Sequence, residues 1–208
     1  LFPYTTLFRS RREALAMAID RDALAAALNV GGWTDTTRIV NPGAADDNGT
    51  VGERWPGQSL AERRAVAARR VSAWASGKKP PRLRIALPAG PGSDVLFARL
   101  SEDFKAVGVD AVKVRDDAPA DLRLVDTVAR YVRAAWFLNQ LSCTNARVLC
   151  SATADRLASQ ALIEPDPAKR ADLFAQAEAQ LTIANTFIPF GVPIRWSLVS
   201  GQASGFMP

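Results

Sequence analysis

The chain has 208 residues, 48% hydrophobic and 23% charged, with a formal charge of +5 and a pI near 9.7. That length suits one large domain, or one and a half ordinary ones, with a real core, and no apolar run approaches the ~20 residues of a membrane-spanning helix. Histidine is absent, which removes the commonest general base and metal ligand, and with them most hydrolase and metal-site chemistry. The 21 acidic residues are interspersed with the 26 basic ones, so net charge does not single out a nucleic-acid partner.

Residues 1–10, LFPYTTLFRS, break in composition with the Ala/Arg-rich text that follows and resemble translated sequencing-adapter read-through. They carry no secretory signal and are expected to be non-native, which leaves residues 11–208 as the domain. Residues 11–28 are strong helix formers with Leu15, Ile19, Leu24 and Leu28 as a partial stripe, and Gly31-Gly32 stops them. Residues 31–58, rich in Gly, Pro, Asn and Asp, read as a long loop carrying Trp33 and Trp55.

Ser59, with Glu62 three residues on, predicts a capping box and a helix to about residue 75. Its Arg63, Arg64, Arg69 and Arg70 read as a solvated face or as a basic interface. Residues 83–87 alternate as a strand, 88–92 turn, and Ser93 is the expected cap of a helix with Leu96, Leu100, Phe104 and Val107 on one face. Gly108 ends it and 109–114 form a second strand, which makes a β-α-β unit with parallel strands. A third strand is expected at 122–125.

A mixed segment with Trp136, Cys143 and Cys150 follows, then helices over 152–163 and 167–184, the second with Asp166 as N-cap and Pro167 at its first position. Short strands are expected at 187–192 and 194–199, broken by Pro193. The two cysteines lack CxxC or zinc spacing. In an oxidising compartment they close a short loop worth roughly 2–3 kcal/mol; otherwise they are free thiols.

No catalytic constellation emerges. Gly90-x-Gly92 lacks the third glycine of a dinucleotide fingerprint and the lysine of a P-loop. The pairs Asp46/Asp47 and Asp116/Asp117 lie in turn-rich text and read as solvated turns. No histidine is present to activate Ser142, Ser151 or Ser197. No cofactor and no metal site is implied. The tryptophans remain: Trp33, Trp55 and Trp136 either line a ligand cleft or fill core gaps.

The run Arg12-x-Ala14-Leu15-x-Met17-Ala18-Ile19-Asp20-Arg21-x-x-Leu24 resembles a helix of the family 5 extracellular solute-binding proteins, the dipeptide-, oligopeptide- and nickel-binding group. Residues 166–184 and Ile188-Pro189 leading into 194–199 are similar to further stretches of that family. The resemblance implies an α/β, periplasmic-binding-protein-like lobe with a mixed sheet, the β-α-β unit and flanking helices. It makes 11–208 the C-terminal lobe of a two-lobed protein, truncated at both ends.

It further implies the substrate-binding component of an ABC importer. Such a protein is expected to be monomeric and periplasmic, with its signal peptide upstream, to hold a peptide or related solute, to deliver it to permease subunits, and to perform no chemistry. Peptide-binding members carry a Trp-x-x-Asp motif that pairs with the ligand's amino terminus. Here Trp136-x-x-Asn139 stands in its place, so Trp136, Asn139 and, less directly, Trp33 are the candidate ligand contacts. An amide forfeits the charge-assisted bond to an ammonium. Two other classes stay open: a small α/β enzyme domain binding phosphate at 88–93, and a basic nucleic-acid-binding domain.

Overall fold

The computed structural model describes residues 3–145 and 150–192, with side chains from residue 9 onward. The chain opens with helix α1 (Pro3–Ala18) and helix α2 (Arg21–Leu28), where the sequence predicts one helix over 11–28. The break has a local cause. Asp20 takes an extended conformation and its carboxylate accepts from Ala23 N at 2.9 Å, which starts a new helix. The corner is then tied from outside. Asp20 N donates to the buried Asp103 at 3.1 Å, and Arg64, ion-paired to Asp103, donates to Ala18 O at 3.0 Å.

Helix α3 (Leu60–Ala75) begins with the expected Ser59/Glu62 capping box. Strand β2 (Arg82–Leu87) and strand β3 (Asp110–Arg115) flank helix α4 (Pro91–Lys105), with Arg82 opposite Asp110 and Leu87 opposite Arg115 in a parallel register. Strand β4 (Leu122–Arg123) adds in parallel beside β2, giving the order β3-β2-β4. Strand β1 (Thr34–Asp35) pairs antiparallel with strand β5 (Gly191–Val192). Parallel and antiparallel pairing thus occupy separate sheets.

Ser93 does not cap α4. The helix starts three residues earlier, with Gly90 at the cap and Pro91 at the first position. Proline's fixed φ suits that position, and glycine takes the required φ of 137° without a Cβ penalty. Leu96, Leu100, Phe104 and Val107 are buried as expected, together with Leu15, Ile19, Leu24, Val71, Leu83 and Ile85.

A second core lies under helices α5 (Ala134–Gln140), α6 (Ala152–Ile163) and α7 (Pro167–Ala184), where Leu138, Leu157, Phe174, Ala177 and Leu181 meet Ile39 and Val40 of the long loop. Both predicted helices have the expected bounds, and Asp166 accepts from Ala168 N at 2.9 Å as N-cap of α7. The mixed segment contains a helix, α5. Of the final strands, only Gly191–Val192 of the first is extended, and 194–199 lie outside the described residues.

The loop is held to α7 by buried charge. Glu178, 1% exposed, accepts from Ile39 N at 3.0 Å, Val40 N at 3.1 Å and Arg38 Nη2 at 2.8 Å. Arg38 also pairs with Asp47 at 2.9 Å, and Asp47 accepts from Gly43 N and Gly49 N. Asp46 pairs with Arg170 at 2.9 Å. Asp46 and Asp47 are therefore not solvated turn residues: they anchor the loop. Asp116 and Asp117 are exposed and pair with Arg123 and Arg115.

Glu178→Ala would leave two buried backbone N–H groups without their acceptor and Arg38 with Asp47 as its remaining carboxylate, and should lower unfolding free energy by about 3–5 kcal/mol. A loss below about 1 kcal/mol in urea denaturation would contradict this reading. The Arg38 hydrogen bond, against the effect of burial, holds the Asp47 carboxyl below its ordinary range. A depressed folded pKa contributes stability present above the unfolded value and lost as pH falls through the folded one. The melting temperature of wild type should therefore drop below pH ~4 more steeply than that of Asp47→Asn.

Candidate ligand-binding face

After Arg123 the chain leaves the sheet, Leu124 N making one further bond to Ala86 O at 3.1 Å. It is caught again at Ala45, whose N–H donates to Val132 O at 3.0 Å and whose C=O accepts from Ala134 N at 2.9 Å. Between these moorings Val125, Val128, Tyr131 and Val132 are each more than half exposed. Four exposed apolar side chains thus fall within one short irregular segment, termed the ledge below. The ledge runs into α5, whose N-terminal residue, Ala134, is held by the same bridge.

Trp136 on α5 is 9% exposed and lies edge-on to Phe137, ring centroids 5.2 Å apart. Asn139 is exposed on the same helix. Its backbone carbonyl and its side-chain oxygen accept from Asn145 Nδ2, at 3.1 and 3.2 Å. A carbonyl can only accept, so the Asn145 atom is its amide nitrogen, and the Asn139 atom facing it must be Oδ1. Asn139 therefore turns its NH₂ donors away from Asn145.

Cys143 and Cys150 form a disulfide. It closes the loop that carries Asn145, and Cys143 N is anchored to Asp155 of α6 at 2.9 Å. Trp33 sits elsewhere, half-buried beside the β1–β5 pair. A Cβ on Gly191 would collide with its indole and come within 2.8 Å of Thr34 O, so that close approach requires glycine. No hydrogen bond or ring contact among the described residues joins Trp33 to Trp136 or Asn139.

The ledge itself was not singled out from the sequence. Its apolar residues recur at 125, 128 and 131–132, a three-residue spacing that fits neither an alternating strand nor a long helix. That spacing without a partner element was the one signal present.

The other candidate sites have different geometry. The 88–93 turn places Pro91, which has no N–H, and the acidic Asp94 in the first turn of α4, where a phosphate would need donors. Of the α3 arginines, Arg64 turns to Asp103, Arg70 to Glu13 at 2.6 Å and Arg63 to the Trp55 ring. They form no continuous solvent-facing basic strip. Among the described residues no group of three His, Cys, Asp or Glu converges to hold a metal, and no helix is long and apolar enough to cross a membrane.

No family model matches the sequence, and no curated protein matches it. Solved structures do. The OppA of Haemophilus influenzae, in complex with RPPGFSPFR, is 16% identical with a TM-score of 0.79 over 88% of this chain and 39% of that one. The Escherichia coli murein tripeptide binding protein MppA is 20% identical, TM-score 0.77, over the same shares. A peptide-binding protein of a peptide ABC transporter is 17% identical, TM-score 0.68, over 88% of this chain and 90% of that one.

The chain thus spans 39% of the length of the first two. Replacing both cysteines by serine should remove about 2–3 kcal/mol of stability, and wild type in reductant should lose the same amount. An unchanged melt in reductant would contradict a closed loop. At these identities the likeness is one of fold: the chain has an α/β fold that matches part of these binding proteins.

Proposed function

We propose that this lobe belongs to the substrate-binding component of an ABC importer. It captures a peptide or related solute against a second lobe, closes on it and delivers it to permease subunits, acting as a monomer outside the inner membrane and performing no chemistry. The single observation that carries the reading is the ledge of Val125, Val128, Tyr131 and Val132 running into α5, an apolar strip with a few polar groups at its end. Ligand clefts have that composition.

Binding energy then comes from covering the ledge, and the ligand shifts a pre-existing open and closed equilibrium. Asn139 offers neutral donors to a carbonyl or hydroxyl of the ligand, and Trp136, on the same helix, supplies a ring at the end of the ledge. Trp33 is the weaker contact, because its ring is committed to Gly191.

Recovery of the upstream coding sequence tests the assignment: a signal peptide and a second α/β lobe support it, whereas a cytosolic catalytic domain sinks it. In the resulting full-length protein, Tyr131→Ala should weaken ligand binding by more than about 1 kcal/mol in calorimetry. Because Asn139 is uncharged, peptides and their N-acetylated forms should bind within about threefold of each other. A large preference for the free amine would overturn the role given to Asn139.

A further inference from the structure

Away from the ledge, positive charge accumulates around Trp55 without matching acid. Arg21 is 5% exposed, yet its guanidinium meets only carbonyl oxygens, Pro189 O at 3.0 Å and Ala16 O at 3.4 Å, and forms no ion pair. Arg63 has its Nε enclosed with no acceptor, and its guanidinium stands 5.8 Å from the Trp55 ring centre. Arg54 lies 4.2 Å over the same ring. Its one carboxylate partner, Glu13 at 3.2 Å, is shared with Arg70.

Buried guanidinium groups are ordinarily paired. All 21 acidic residues of the chain lie within the described residues, and none of them forms an ion pair with Arg21 or Arg63. Burial, with Arg63 and Arg54 nearby, pushes Arg21 down to about 10. Trp55 itself sits at φ 56°, a left-handed conformation that is costly for a bulky residue and that presents its ring to the two arginines.

We propose that Arg21, Arg63 and the Trp55 ring form a binding site for a singly charged oxyanion, a carboxylate, supplied from outside this chain. Arg63 provides the planar fork that matches a carboxylate, its guanidinium 5.8 Å from the indole centre while Arg54 covers the ring at 4.2 Å. A single charge is favoured because Glu53 and Asp35, the acids nearest Arg21, repel a second. Glu53 itself is occupied by Thr36 and Thr37 and cannot serve as the partner. The site is separate from the ledge and does not depend on the transport reading.

The test is a titration of this chain with sodium acetate, followed by ¹H–¹⁵N spectra at constant ionic strength, with chloride and phosphate as parallel arms. The Arg63 Nε–H and Trp55 indole N–H signals should shift saturably with acetate and not with chloride. Arg63→Gln, which breaks no ion pair, should melt like wild type and raise half-saturation about tenfold. An absent or unsaturable shift in wild type, an unchanged midpoint in Arg63→Gln, or tighter binding of phosphate than of acetate would each overturn the proposal.

Discussion

The Glu178 carboxylate organises the half of the lobe that carries the ledge. It gathers Arg38 and the amides of Ile39 and Val40 onto α7, and Arg38 passes the constraint to Asp47. Asp47 then shapes the turn that presents Ala45, and Ala45 holds Val132 and Ala134. The position of Tyr131, Val132 and α5 therefore depends on a buried charge on a different helix. Buried ion pairs contribute little net stability against an apolar replacement, but breaking one is costly. Here the network selects a single loop conformation over the many open to a Gly-rich segment.

The motif that carries the family resemblance has an equally structural meaning. Arg12 donates to Ala184 O at 2.7 Å, placing a cation at the C-terminus of α7, where the helix dipole favours it. Asp20 caps α2, and Arg21 reaches Pro189 in the segment leading to β5. These residues clasp α1 and α2 to the C-terminus of α7 and to the segment before β5, and no hydrogen bond among the described residues joins them to Trp136 or Asn139. Motif and ledge are therefore distinct parts of the fold.

What could be read in advance was what is encoded locally. The caps at Ser59 and Asp166, Pro167 at a first helical position and the stripe of α4 all depend on neighbours within a few residues, and they appear where expected. The misses depend on partners far along the chain. Asp20 breaks the first helix at a corner secured by Asp103 and Arg64. Asp47 looks like a turn residue until Arg38 is brought to it by Glu178. Asn139 was legible as a position, but its donor orientation follows from Asn145, six residues on, held by a disulfide loop.

On the function proposed above, this lobe is one jaw of a clamp whose apolar ledge is covered when ligand arrives. Small-angle X-ray scattering of the protein encoded by the complete reading frame, with and without a saturating peptide mixture, tests it most directly. The account predicts a smaller radius of gyration in the presence of ligand, and loss of that compaction in Val128→Asp. An unchanged radius with bound ligand, or compaction that survives a charge on the ledge, would contradict it.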